Sequence, residues 1–332
     1  MHSPQTWQPT EPFRPRWGIG NGHFQTIASH LLPRSVALPP DDQRLIEVAP
    51  GIRVRCDCHW QGNRAGALTV IAVHGLEGSS DSQYIRGIAQ TALAQGMNVV
   101  RMNQRNCGGT EALAPTLYHS GLSGDVGAVA ESLIASEGIT RIALAGYSMG
   151  GNLVLKLAGE WGSAHPQLRA VTAVCPALDL AASADALHEP ANRLYEMHFV
   201  RRLKQRLALK AQLFPGQFNI SAADGANSVR EFDNQVTAPF SGFRDADDYY
   251  HRAAAANVVA NIAVPTLIVH SADDPFIRIQ PPTLDKINAN AHIRYLETAH
   301  GGHCAFLAAP NGYDGYWAER QVLNFLYAAN AA

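Results

Sequence analysis

Ile142-Ala143-Leu144-Ala145-Gly146-Tyr147-Ser148-Met149-Gly150-Gly151 is an apolar run feeding a Gly-x-Ser-x-Gly turn, and the residues after it, 152–159, favour a helix. A serine set between a strand and a helix sits on a turn so sharp that side chains two residues to either side collide, so glycine is required at 146 and 150. The Ser148 hydroxyl then stands clear of the backbone, at a helix N-terminus whose unpaired N–H groups and dipole favour developing negative charge. The five-residue string alone is a weak signal. Its place after an apolar strand and before a helix makes it read as a nucleophile elbow.

Outward from the elbow, short apolar runs at residues 68–73, 98–102, 142–145, 170–174, 266–269 and 293–296 read as strands buried on both faces. Helix-compatible stretches at 84–95, 124–136 and 152–161 separate the first four runs, and helices follow the last two at 282–288 and 315–329. This repetition predicts an α/β fold, with right-handed crossovers and a mostly parallel central sheet carrying helices on both faces. Residues 1–66, rich in Pro, Arg and Gly, form an N-terminal segment with a first strand pair at 44–48 and 53–60. The spacing breaks once, between 176 and 264, a stretch far too long for an ordinary connection. Leu194, Met197, Val200, Leu203 and Leu207 recur there three or four apart, among Arg201, Arg202, Lys204 and Arg206, which predicts an amphipathic helix with a solvated basic face. The expected organisation is one domain over 1–332 with a helical lid inserted at 177–263.

With 332 residues, 46% of them hydrophobic and 16% charged, the chain can bury a large core and does not read as disordered. A net charge of −2 and the lack of any Lys/Arg-rich run argue against nucleic acid as a partner. Cys56, Cys58, Cys107, Cys175 and Cys304 are odd in number and scattered, as reduced thiols of a cytoplasmic protein would be. Residues 1–17 carry Pro4, Pro9, Pro12 and Pro15 but no apolar core, so neither a signal peptide nor a stable membrane anchor is expected. No run elsewhere approaches the roughly 18 apolar residues of a membrane span.

A serine hydroxyl is a poor nucleophile at neutral pH and needs a base, a carboxylate to orient that base, and donors for the oxyanion it creates. Around such an elbow the acid follows a late strand, and the histidine lies on a loop after the last one. Val269-His270-Ser271-Ala272-Asp273-Asp274-Pro275 follows a strand, and its spacing favours Asp274 over Asp273, with Asp179 the third contender. The bland reading of each is a turn or capping carboxylate. Ala299-His300-Gly301-Gly302-His303-Cys304 follows the last strand, and its glycines can bring His303 over Ser148 as the base. No metal is expected at His300 and His303, because no cluster of ligands completes a site and a regular geometry aims Cys304 elsewhere. An ordinary imidazole titrates near about 6.5, so activity should rise through that region.

For the oxyanion, the candidate N–H donors are Met149, just after the nucleophile, and Leu76 in His74-Gly75-Leu76-Glu77-Gly78. That loop has neither a Walker lysine nor Gly-x-Gly-x-x-Gly spacing, so no nucleotide cofactor is expected. Five residues separate His119 from Asp125, where the His-acid pair of some acyltransferases has four, and Asp125 reads as a helix cap.

With these residues placed, the chain resembles the YheT-like family of α/β-hydrolases. The likeness is carried by Asn21-Gly22-His23-Phe24-Gln25-Thr26, His74-Gly75-Leu76-Glu77-Gly78, Asn103-Gln104-Arg105-Asn106-Cys107-Gly108-Gly109, Tyr118-His119-Ser120-Gly121 and the elbow. Glu231-Phe232-Asp233, Gly242-Phe243, Asp248-Tyr249-Tyr250, Asp273-Asp274-Pro275-Phe276 and His300-Gly301-Gly302-His303 extend it over nearly the whole chain. The elbow and histidine loop indicate only the superfamily, whereas the N-terminal motif and the segment from Phe232-Asp233 to Tyr250 are particular to this group. The resemblance implies an α/β-hydrolase fold and hydrolysis of carboxylic esters through an acyl-enzyme, with the triad carried onto Ser148, Asp274 and His303. The expected substrate is a small ester of short- to medium-chain or lipid-like acyl groups. Animal members act on lipid esters and carry an N-terminal membrane anchor that is not found in this sequence. Acyl transfer by the same triad and non-catalytic binding of a small molecule are the alternatives. No role follows for His23, Arg105 or Tyr118.

Overall fold

The computed structural model describes residues 4–34 and 36–331, so the first three residues of the proline-rich start and the final residue of the chain lie outside it. Its strands are β1 (Asp42–Ala49), β2 (Ile52–His59), β3 (Thr69–Val73), β4 (Asn98–Met102), β5 (Ile142–Tyr147), β6 (Leu168–Val174), β7 (Thr266–Ser271) and β8 (Ile293–Thr298). They form one sheet in the order β1-β2-β4-β3-β5-β6-β7-β8, antiparallel from β1 to β4 and parallel from there on. Every residue of β3, β4, β5 and β7 is buried, as the unbroken apolar runs require of strands covered on both sides. The run at 293–296 does not behave this way. β8 is one edge of the sheet, and from Arg294 onward it is half-buried or exposed.

The helices are α1 (Gly22–Leu31), α2 (Gln83–Ala94), α3 (Ser123–Glu137), α4 (Met149–Trp161), α5 (Leu180–Leu187), α6 (Arg193–Leu213), α7 (Val229–Phe232), α8 (Ala238–Phe240), α9 (Ala246–Ala253), α10 (Pro281–Ala289) and α11 (Trp317–Ala331). On one face of the sheet, Ile85 and Ile88 of α2 and Val322, Leu323 and Phe325 of α11 close over Val70, Ala143 and Val269. On the other face, Val129 and Leu133 of α3, Leu153 and Leu157 of α4 and Ile287 of α10 cover Ile71, Leu144 and Ile268. Helix α1 is not foreseen by the hydrophobic pattern: its apolar Phe24, Ile27 and Leu31 are exposed, and Asn21 caps it by accepting from the His23 N–H.

Between β6 and β7 the chain is helical, with α5 to α9 and a π-helical turn at Asp233–Thr237. The expected amphipathic helix is α6, six residues longer at its C-terminal end than the 194–207 pattern. Its basic face is only partly solvated. Arg201 and Arg202 are exposed, whereas Arg206 pairs with Glu77, and Lys210 is buried with its ammonium on the Glu111 and Ala114 carbonyls. A second anchor runs from the sheet domain: Asn152 of α4 donates to the Ser120 and Ala253 carbonyls and accepts from the Ala255 N–H. Among the described residues no helix is long and apolar enough to cross a membrane.

Candidate active site

Strand β5 delivers Ser148 at φ 54° and ψ −120°, a conformation that L residues avoid, and α4 begins at the next residue. The cost of side chains beside the turn is visible in distances. A Cβ on Gly146 would lie 2.2 Å from the Gly150 carbonyl oxygen, and one on Gly150 would lie 2.3 Å from that of Val73. Ser148 itself is held from below, its N–H donating to the Val174 carbonyl. The loop after β3 lies against it, with the Cβ position of Gly75 3.0 Å from Ser148 Cβ. Leu76, Ser148 and Met149 together line one cavity, and no hydrogen bond consumes the Leu76 or Met149 N–H among the described residues.

Two side chains fix that loop. His74 is wholly buried, and its Nε2 accepts from the Gln104 N–H at 3.1 Å, which leaves Nδ1 to donate to the Gly75 carbonyl at 2.8 Å. This pattern needs a neutral ring, and burial pushes His74 down to about 4. Glu77, at φ 57°, receives both forks of Arg206 at 2.9 and 2.8 Å and the Tyr118 hydroxyl at 2.6 Å. Burial opposes its charge, yet Arg206 and Tyr118 together hold its carboxyl below the ordinary range. Tyr118 thus acquires the role that the sequence did not supply.

Of the three contending carboxylates, Asp274 meets the His303 ring, Oδ2 to Nδ1, at 2.9 Å. Asp274 is buried and also accepts from the Phe276 and Ile277 N–H groups. Asp273 braces the histidine loop instead, accepting from the Gly302 N–H at 2.9 Å and facing His300 Nδ1 at 3.1 Å. Asp179 accepts from the Gln280 N–H and the Thr283 hydroxyl, away from the ring. Burial opposes the charged form of His303, but Cys304 and Asp274 outweigh it and hold the imidazole well above its ordinary range. No hydrogen bond joins His303 to Ser148 in this structure. The Nε2 atom lies 3.8 Å from Cys304 Sγ, so Cys304 does not point elsewhere as its spacing suggested. A left-handed turn at Cys304, φ 57°, swings its thiol back toward the ring.

Asp125 is not a cap. It is the third residue of α3, within the first turn, and its carboxylate makes no capping bond. Its carboxylate receives Arg105 Nε and Nη2 at 2.6 Å each, a bidentate buried pair. That pairing also accounts for Arg105. The N-terminal motif proves to be part of the site's support: Thr26 Oγ1 accepts from the His303 N–H at 2.8 Å. Gly22 lies so close beneath that a Cβ there would be 1.9 Å from the Asp273 carbonyl oxygen. His23 stacks on Tyr195 of α6, ring centroids 5.8 Å apart. The signal in the sequence was the glycine of Asn21-Gly22-His23, a position where backbone must approach backbone.

The cavity above Ser148 measures about 110 Å³ and is walled mainly by Leu180, Phe199, Leu203, Val229, Phe276 and Ile277. Its polar atoms include Asp233, which burial pushes up to about 6 while Tyr250 donates to it at 2.7 Å.

A family model described as the alpha/beta hydrolase fold matches residues 69–310. YheT of Escherichia coli strain K12, provisionally named an esterase, is 33% identical over 323 residues, covering 95% of this chain and 92% of its own length. Phospholipase ABHD3 of Mus musculus is 28% identical over 319 residues, covering 93% of this chain and 75% of that protein. Among solved structures, the Pyrococcus furiosus esterase Pf2001 aligns over 89% of this chain and 98% of its own with a TM-score of 0.57 at 17% identity, a likeness of fold. Sheet order, elbow and full-length relatives agree, and the chain belongs to the α/β-hydrolase family, in its YheT-like group.

Proposed function

We propose that the protein is a serine carboxylesterase that works through an acyl-enzyme. Ser148 attacks the acyl carbonyl, His303 takes its proton, Asp274 fixes the ring and stabilises the imidazolium, and the Leu76 and Met149 N–H groups receive the oxyanion. Water then attacks the acyl-enzyme by the reverse proton path. The observation that carries this reading is the strained φ of 54° at Ser148, on a helix N-terminus, with a buried Asp274–His303 bond of 2.9 Å on the loops beside it. Hydrogen bonds between nucleophile and base are often long before substrate binds and tighten in the Michaelis complex. The relatives' names, an esterase and a phospholipase, support ester cleavage.

The cavity supports a small acyl group under a lid formed by residues 177–263. At about 110 Å³ it is smaller than the roughly 150 Å³ apolar cavities that accept benzene. Ser148→Ala is expected to lower turnover of p-nitrophenyl acetate and butyrate by at least about 10³-fold while the melting temperature holds. A fluorophosphonate should label the wild type and not this variant. Turnover undiminished in Ser148→Ala would falsify the assignment, and tight ligand binding without labelling of the wild type would make the protein a receptor. Product analysis with added alcohols separates hydrolysis from acyl transfer.

A further inference from the structure

Two thiols meet behind the histidine. Cys175 follows β6 at φ 44° and is wholly buried, and Cys304 sits on the histidine loop, partly exposed. The Cys304 N–H donates to Cys175 Sγ at 3.4 Å, and the two sulfurs and a ring nitrogen of His303 all lie within 4.8 Å of one another. The other three cysteines, Cys56, Cys58 and Cys107, are buried and belong to other parts of the core.

We propose that Cys304 and Cys175 form a peroxide-responsive thiol pair whose disulfide displaces His303. Cys304 gives its proton to the adjacent imidazole, and its thiolate attacks a hydroperoxide: an S–O bond forms, the O–O bond breaks, and the alcohol or water leaves with that proton. Cys175 then attacks the sulfenic sulfur, the S–S bond forms, and water departs carrying the Cys175 proton. Two thiols lose two electrons to the peroxide, which is reduced to ROH and water. The order of events follows from burial: Cys304 is the one cysteine that is not fully buried, and Cys175 is the one beside it to resolve it. Charge agrees: burial opposes ionisation of Cys304, but the Cys175 thiol and the His303 charge bring it down to about 6, while burial holds Cys175 well up.

The pair must close from its present separation, up to 4.8 Å, to about 2.05 Å. Cys175 is pinned, its N–H bonded to the Val269 carbonyl at 2.8 Å, so the glycine-rich loop carrying Cys304 is the part that yields. His303 is the preceding residue and travels with it, away from the geometry set by Asp274 and Thr26. A displacement of about 1 Å in a catalytic group can cost about 10²-fold in rate. This consequence for activity rests on the esterase reading; formation of the cross-link does not.

The test treats the full-length chain with hydrogen peroxide, alkylates it in denaturant with N-ethylmaleimide and maps the peptides, with p-nitrophenyl acetate turnover measured in parallel. The expected result is a Cys175–Cys304 cross-linked peptide two hydrogens lighter, with Cys56, Cys58 and Cys107 alkylated as before. Turnover should fall at least tenfold and return with dithiothreitol. In Cys175→Ala, Cys304 should stop at a sulfenic acid that dimedone traps, and Cys304→Ala should give neither product. Cys175 and Cys304 still fully alkylated after peroxide would overturn the pair, whatever the chain hydrolyses. A cross-link that leaves turnover unchanged would overturn the displacement of His303. Should either variant fail to fold, the wild-type peptide map decides alone.

Discussion

In the proposed mechanism the imidazole of His303 is the group on which pH dependence turns. Cys304 at 3.8 Å and Asp274 at 2.9 Å both favour its charged form, against burial. A base whose pKa is raised stays protonated, and idle, to higher pH, so the acidic limb of kcat/KM should lie above the 6.5 expected of an unperturbed ring. Cys304→Ala removes one raising group and should move that limb to lower pH with little loss at the plateau. An unmoved limb in that variant would mean that Cys304 exerts no charge on the base. Asp274→Asn removes the other and should also cost about 10³–10⁴-fold in kcat, because the ring loses both its orientation and the partner of its cation. At the elbow, Gly150→Ala must place a methyl 2.3 Å from the Val73 carbonyl oxygen and is expected to lose expression or melt early by thermal shift.

Two elements outside the sheet hold the site. Helix α6 reaches the loop after β3 through Arg206, whose fork grips Glu77 one residue after Leu76, the proposed oxyanion donor. Arg206→Ala strips the fork from a buried carboxylate that keeps the Tyr118 hydroxyl and Arg202 at 3.6 Å, and should cost about 1.5–3 kcal/mol in urea unfolding. Arg206→Lys keeps the charge without the fork and should lower kcat several-fold with KM little changed, since in the proposed mechanism the Leu76 N–H acts on the oxyanion rather than on bound ester. Equal kcat in the lysine variant and the wild type would separate the latch from catalysis. Helix α1 supports the other side: Thr26→Val removes the acceptor of the His303 N–H, with an expected stability loss of about 1 kcal/mol and a larger proportional loss in kcat.

Taken whole, the molecule is a covered, mostly parallel sheet, and residues of the helical insertion between β6 and β7 line the cavity at Ser148. Asn152 ties the insertion to α4 by two buried hydrogen bonds, at Ala253 and Ala255, and holds the Ser120 carbonyl with a third. The small apolar volume beneath sets the substrate prediction. Across p-nitrophenyl esters from acetyl to palmitoyl, kcat/KM should peak at the short end, and a maximum at palmitoyl would require the insertion to open.

Residues 142–151 determined the elbow and, with the repeating apolar runs, the fold class, because steric collision at a tight turn and burial of both strand faces are local demands that any sequence must meet in place. The edge position of β8 was not legible, since an apolar run looks alike at the centre and at the border of a sheet. Asp274, Asp273 and Asp179 all follow strands, and only the folded loops decided which carboxylate meets the ring. Thr26 under His303, Arg105 on Asp125, Arg206 on Glu77 and the thiol of Cys304 turned back to the imidazole share one reason for being hidden. Each joins atoms whose distance in space bears no relation to their distance along the chain, or depends on a left-handed turn at a residue that does not announce one.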